Sequence, residues 1–281
     1  MRRPSPLTVF MAHAGLVVVT LITLYPVLWV VKMAVEPSQS FSMGLSPIPD
    51  EWSLENFKNV VQTSDANGAL FPRQLLNSMI VALATSAIGV TLAATAAYAM
   101  SRWKFPGRDQ AMSAFLITQM FPGVVMAIPL YILLDKLHLL DSLTGLVLVY
   151  ATTSVPFSVW TLKGYFDTLP VALEEAALLD GCSRWMIFRK IVLPLARPAL
   201  AVVALFSFLT AWNEYILAAT FMNDPHSYTL PIVLQSYVTD YGTEWGNFAA
   251  GSILVSMPVI VLFFALQKHF VEGLTAGGVK G

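Results

Sequence analysis

The stretch EEAALLDGCSRWMIFRKIVLP, residues 174–194, is charged, broken by a glycine and flanked on both sides by long apolar runs. It stands out in a chain of 281 residues that is 56% hydrophobic and 12% charged, with a mean hydropathy of +0.67. That balance lies far from the average soluble domain and marks a membrane protein. Outward from the insert, charges are confined to a few places, and the intervals between them can be tested against the roughly 20 residues needed to cross about 30 Å of hydrocarbon. Six intervals qualify: Leu7 to Val31, Gln74 to Ser101, Gln110 to Leu134, Ser142 to Leu162, Pro198 to Phe221 and Trp245 to Gln267. The expected fold is therefore an all-α integral membrane protein of six transmembrane helices, with both termini on one side because six is even. Residues 1–73 form the first helix and an extracytoplasmic segment, and 74–281 a five-helix core with a polar loop at 165–197 and a tail at 269–281.

Lys and Arg in short loops stay cytoplasmic. One side holds Arg2, Arg3, Arg102, Lys104, Arg108, Lys163, Arg184, Arg189, Lys190, Arg197, Lys268 and Lys280, twelve of the sixteen basic residues. The other side holds Lys32, Lys58, Arg73 and Lys136. Both termini and the 174–194 insert are thus expected in the cytosol. The first apolar run is longer than the h-region of a signal peptide and lacks a small-x-small cleavage site, so it reads as an uncleaved span. Cys182 has no partner cysteine, and His13, His138, His226 and His269 lack metal-ligand spacing, so neither disulfide nor metal is expected. No P-loop, GxSxG elbow or HExxH pair occurs, which leaves no catalytic site and no cofactor in the chain. No nucleic-acid partner is expected.

Ala82, Ser86, Gly89, Ala93 and Ala97 form a small-residue stripe on the second span, suited to close helix packing either within the chain or at a subunit interface. Pro122, Pro129, Pro156 and Pro258 fall within spans and should kink them. Glu214 is the one acid inside a span, and an intramembrane carboxylate is a functional candidate by default. With its neighbour Asn213 it is the candidate for a pathway or gate role. At about 24 Å along its helix, however, it lies near the outer interface, and packing beside Trp212 and Tyr215 is the plainer reading.

Within the insert, Pro170 suits a first helical turn, Glu174 and Glu175 complement the positive end of the helix dipole, and Gly181 suits a left-handed terminus. Ser183 can cap a second helix running to Leu193. Val171, Leu178 and Leu179 fall on one side of the first helix, and Leu173, Ala176 and Ala177 on the other. A helix apolar on two sides fits a protein cleft better than a lipid surface.

Glu175-Ala176-Ala177, three residues, Gly181, nine residues, Ile191, one residue, Leu193-Pro194 resembles the EAA loop of the membrane subunits of ATP-binding-cassette importers. The resemblance covers nearly the whole chain and narrows to carbohydrate permeases through RWKFPGR at 102–108, QMFPGV at 119–124, WTLKGYFDTLP at 160–170 and WNEY at 212–215. SYTLPIVLQSYV at 227–238, WGNFAAG at 245–251 and GLTAGGVKG at 273–281 are similar to the smaller permeases of maltose and maltodextrin systems. The resemblance implies a type I importer permease in the inner membrane that pairs with a second, non-identical permease, an ATPase dimer carrying ATP and magnesium, and an extracytoplasmic sugar-binding protein. It implies that Glu174, Glu175, Ala176, Ala177, Gly181, Ile191, Leu193 and Pro194 form the ATPase-coupling segment, and that the tail, through Thr275, Gly277, Gly278 and Lys280, contacts the ATPase. The outer segments 36–73 and 221–244 would face the binding protein. Trehalose or another oligosaccharide is an alternative cargo. An ion-coupled carrier is the alternative of a different class, and it should show internal repeats or paired intramembrane carboxylates.

Overall fold

The computed structural model describes residues 5–41, 44, 46–66, 68–239 and 242–278, with side chains described as far as Lys268. Among them the regular structure is helical apart from two hairpins of two-residue strands, β1 Ser64–Asp65 with β2 Gly68–Ala69 and, following the short helix α12 Leu230–Ser236, β3 Val238–Thr239 with β4 Gly242–Thr243. Among the described residues four helices are long and apolar enough to cross a membrane: α1 Pro6–Val35, α3 Phe71–Arg102, α6 Leu143–Thr168 and α13 Trp245–Gly278. Two bent pairs raise the number to six if each is one span. The first is α4 Arg108–Met120 with α5 Gly123–Lys136, bent by 101°, and the second is Arg184–Leu195 with α10 Arg197–Trp212, bent by 80°.

Two expected spans are broken rather than continuous helices. The run from Gln110 to Leu134 is not one kinked helix: Pro122 caps α5 with φ −61° and ψ 128°, an extended residue without an N–H, so the α4 ladder cannot continue through it. The run from Pro198 to Phe221 is also interrupted, since α10 stops at Trp212 and α11 Ile216–Phe221 starts only after Tyr215. The last helix runs on to Gly278 instead of stopping near Gln267, so the tail begins as a continuation of α13.

The structure divides into two compact units. One comprises residues 1–72 and 233–257. Here α1 begins at a Ser5 cap whose side chain accepts from the Thr8 N–H at 3.2 Å. Its most apolar window buries nothing inside the chain. At its far end Lys32, 4% exposed, donates to the Ser46 carbonyl at 3.0 Å and lies 3.6 Å from Glu36. The buried Asn56 of α2, Glu55–Val61, donates to the carbonyls of Ala34 and Glu36 at 3.2 and 2.7 Å and accepts from Gln39 Nε2 at 2.7 Å. The Gln39 side chain in turn accepts from the Asn247 N–H at 3.1 Å. This segment is therefore tied by satisfied polar groups to the start of α13 rather than left as a plain loop.

The other unit comprises residues 73–232 and the chain from Pro258. Its core joins α3, α4, α6 and α10 to the segment around Phe188–Val192 through Ala93, Ala97, Tyr98, Leu162, Phe166, Ile187 and Val203. The small-residue stripe packs inside the same unit, with Ala93 and Ala97 in this core. Ala82, Ala93 and Ala97 are fully buried, Ser86 donates to the Ala204 carbonyl at 2.9 Å, and a Cβ at Gly89 would meet the Ser154 hydroxyl at 3.0 Å. The stripe brings α3 close to α6 and α10 within the chain, so intrachain packing accounts for it.

Candidate functional site

The 174–194 insert is a helical hairpin. Pro170 caps α7, Val171–Leu179, from extended backbone, and Gly181 ends it with φ +83°. The Cys182 N–H reaches the Ala177 carbonyl at 2.9 Å and the Gly181 N–H the Leu178 carbonyl at 3.0 Å, the paired bonds of a Schellman end. Ser183 then accepts from the Met186 N–H at 3.3 Å and opens α8, Arg184–Ile187. A π turn over Phe188–Val192 and the short α9, Leu193–Leu195, complete the hairpin, with Pro194 just beyond the π turn.

The two faces of α7 differ in chemistry. Glu174 and Ala177, three residues apart, turn inward with 5% and 7% exposure. Glu175 and Ala176 turn outward beside the exposed Val171, Leu173 and Leu179. Glu174 is held by α3: Arg102 Nε donates to its Oε1 at 2.6 Å and the Tyr98 hydroxyl to its Oε2 at 2.7 Å. Arg102 also donates to the Phe166 carbonyl at 2.9 Å, and Tyr98 stacks on Phe188 with centroids 4.8 Å apart. Ile191 and Leu193 pack against the same core, and Gly181 stands exposed at the bend. The sequence pattern therefore separates in space into residues that fasten the hairpin and residues that it presents. Tyr98 and Arg102, which do the fastening, carry a signal only in retrospect, as a polar pair one turn apart at the end of an apolar helix.

Glu214 lies in the break between α10 and α11. Its Oε1 accepts from the Leu217 N–H at 2.9 Å and its Oε2 from the Ala218 N–H at 3.0 Å, so it caps α11. The Tyr150 hydroxyl, on a side chain 1% exposed, donates to the same Oε2 at 2.7 Å. Asn213 ends α10, donating from its side chain to the Leu209 carbonyl at 2.9 Å. Nearby, Asp141 holds the connection between α5 and α6 against the segment following α11. It accepts from the backbone N–H groups of Asn223 and Asp224, the latter at 3.0 Å. Partial burial alone would raise the Asp141 pKa, but these donors together with the Asn223 side chain outweigh it and hold the carboxyl below the usual range. Thr275, Gly277 and Gly278 fall on the last turns of α13, while Lys280 lies outside the described residues. Among the described residues no group of three or more His, Cys, Asp or Glu could hold a metal ion.

The described residues thus build a multi-span helical chain with two broken helices and a charged hairpin fastened to its core. Its fold aligns with a solved bacterial ABC transporter involved in the import of the acidic polysaccharide alginate, at a TM-score of 0.77 and 22% identity over 96% of this chain and all of that one. It also aligns with the methionine ABC transporter MetNI, at a TM-score of 0.58 and 14% identity over 72% of this chain and 95% of that one. Residues 89–275 match the binding-protein-dependent transport system inner membrane component family, and the chain belongs to that family. Its relatives include the galactooligosaccharides transport system permease GanQ of Bacillus subtilis, 38% identical over 92% of this chain and 91% of its own length. The maltose/maltodextrin permease MalG of Escherichia coli K12 is 38% identical over 97% and 96%, and the maltodextrin permease MdxG of Bacillus subtilis 36% over 95% and 94%. The chain is accordingly a non-catalytic, multi-pass subunit of the inner membrane. In such systems ATP is bound by a separate ATPase, and a further permease and a binding protein complete the transporter.

Proposed function

We propose that this chain forms half of the translocation path of an ATP-driven sugar importer whose cargo is maltodextrin. The importer class follows from the family. The maltodextrin reading is supported by relatives similar along nearly their whole length, MalG and MdxG among them, with galactooligosaccharide as the competing cargo because GanQ is equally similar. The observation that carries the coupling role is the outward face of α7, where Val171, Leu173 and Leu179 are exposed beside Glu175 on a hairpin fastened to the core from behind. Such a surface, apolar with one acid, fits a groove on the ATPase. The joint presents Glu175, Ala176 and Gly181 while Ile191, Leu193 and Pro194 hold it in place, and movement of the ATPase pair would pass through Glu174 and Arg102 into α3. The twelve-to-four partition of basic residues supports cytoplasmic termini, which would bring Thr275 to Lys280 to the ATPase and turn residues 36–73 and 221–244 toward the binding protein.

The test is uptake by proteoliposomes holding this chain with its second permease, ATPase and binding protein, using labelled maltotriose and a galactotriose. ATP-dependent accumulation of maltotriose, insensitive to ionophores, is expected. Accumulation of galactotriose alone would replace the cargo, and uptake driven by an ion gradient without ATP would overturn the mechanism.

A further inference from the structure

We propose that a cavity where the two interrupted helices of this chain meet is a subsite of the transport path that touches the oligosaccharide. In this assignment Gln119, Thr152 and Thr153 receive its hydroxyl groups and Phe121 supplies a stacking face. The assignment rests on the importer reading above and adds to it which residues of this permease meet the cargo.

α4 ends at Met120 and α5 starts at Gly123 after a 101° turn, with no side-chain cap at the start of α5. The last carbonyls of one helix and the first N–H groups of the next lack intrahelical partners there. Irregular backbone at membrane depth persists only where protein or water reaches it, because hydrocarbon offers no partners. The second interruption, between α10 and α11, delivers Leu217 to the same place, its N–H fixed by Glu214. Between them lies a cavity of about 370 Å³ lined by Thr118, Gln119, Phe121, Thr152, Thr153 and Leu217, among others. Its size falls within the roughly 300–1,000 Å³ usual for small-molecule sites.

The lining identifies the class of ligand. None of its residues is ionisable, so an ion or charged cargo would leave water for a wall without a countercharge. The hydroxyls of Thr118, Thr152 and Thr153 donate to the carbonyls of Phe115, Val149 and Tyr150 at 2.8, 2.7 and 2.9 Å. With those protons committed to the backbone, each oxygen offers lone pairs to a visiting donor. Gln119 donates from Nε2 to the Thr153 carbonyl at 3.1 Å, which anchors the amide and leaves its Oε1 as a further acceptor. A mostly apolar wall, with Met126, Leu130 and Leu217 beside Phe121, into which a few acceptor oxygens are set, suits a ligand that combines hydroxyl donors with a C–H face. Phe121, 58% exposed at the break, adds a ring on which the C–H face of a pyranose can lie. Neutral polyol with an apolar face is the chemistry of an oligosaccharide.

The experiment uses the complete transporter in proteoliposomes, with Gln119→Leu, Thr152→Val and Phe121→Ala in this chain. Initial uptake of maltotriose and of longer maltodextrins below saturation, ATP hydrolysed per sugar and the ratio of the two permeases are measured together. Sugar moved per ATP should fall roughly two- to tenfold for Gln119→Leu and Thr152→Val, the change expected for one neutral hydrogen bond. Phe121→Ala should also alter the preference for chain length, with both permeases still in parent ratio. Unchanged uptake and preference in all three variants would overturn the subsite while leaving the importer reading intact. Loss of the second permease from the variants would show that the cavity seats that subunit, and would equally overturn the proposal. If the parent complex transported no sugar of either kind, the importer reading would fall and the subsite with it.

Discussion

Replacing Glu174 by alanine tests how the hairpin is fastened. The carboxylate and the Arg102 guanidinium are both 7% exposed in their side chains, with Nε and Oε1 2.6 Å apart. Removing one member of a buried pair typically costs about 3–5 kcal/mol, because the remaining charge stays buried. Arg102 would keep its bonds to the Phe166 carbonyl at 2.9 Å and to the Ser101 hydroxyl at 2.8 Å, which places the loss near the lower end, about 3 kcal/mol. At about 1.4 kcal/mol per decade that raises the undocked fraction of α7 roughly 100-fold. Hydrogen exchange on the intact complex reads this directly, since local opening sets the exchange of buried amides. Amides of residues 174–187 should exchange about 100-fold faster than in the parent, with those of α6 between Leu146 and Leu162 unchanged. Glu174→Gln, which keeps one acceptor oxygen without charge, should fall between. An apolar pair, Glu174→Leu with Arg102→Met, should recover much of the protection. Exchange within threefold of the parent in Glu174→Ala would refute the anchoring argument.

A Cβ at Gly181 would meet no atom within 4 Å, but Gly181→Leu places a side chain at φ +83°, at a cost of about 1 kcal/mol or more; sugar uptake per ATP should drop while all spans insert, and parent-like coupling would contradict the proposed joint. Gly145→Ala would drive a Cβ onto the Leu139 carbonyl oxygen, a backbone atom that cannot swing away, so a loss of about 1–3 kcal/mol is expected, read as a lower unfolding temperature in detergent. Asp141 has a folded pKa below its unfolded value of about 3.9, so its contribution is complete above that value and disappears as pH falls through the lower folded pKa. The parent's unfolding temperature should therefore fall more steeply below about pH 4 than that of Asp141→Asn, and parallel profiles would remove Asp141 from the loop contact.

What was legible in the sequence was whatever repeats along it. Runs of apolar residues gave the span positions, and Pro170, Gly181 and Ser183 gave the ends of the hairpin helices, because caps depend on one residue and its own backbone. The helix breaks were half legible. Pro122 was visible as a disruption, but whether proline kinks a helix or ends it depends on what surrounds the freed backbone groups. The break at Asn213–Tyr215 was hidden by a run apolar enough to read as one span. Its cause, Glu214 capping α11 while taking the Tyr150 hydroxyl, joins residues 64 positions apart. The same distance problem concealed the fastening of α7, where Glu174 meets Tyr98 and Arg102 across 76 and 72 positions.

Neighbouring acids show why composition alone could not assign roles. Glu174 and Glu175 differ by one step of about 100° around α7, and the helix dipole favours both equally. Their fates diverge because Ala177 and Leu178, three and four residues after Glu174, share its face and pack on the core. Burial of that stripe draws Glu174 in with it, to a place where an unpaired charge would be untenable, and Arg102 at the end of α3 meets it. Glu175 is left in solvent. One glutamate thus belongs to the permease and its neighbour is free for a partner. A hairpin fastened by a buried ion pair can transmit a displacement to α3 rather than yielding at its root, as the joint proposed here between ATPase and membrane helices would require.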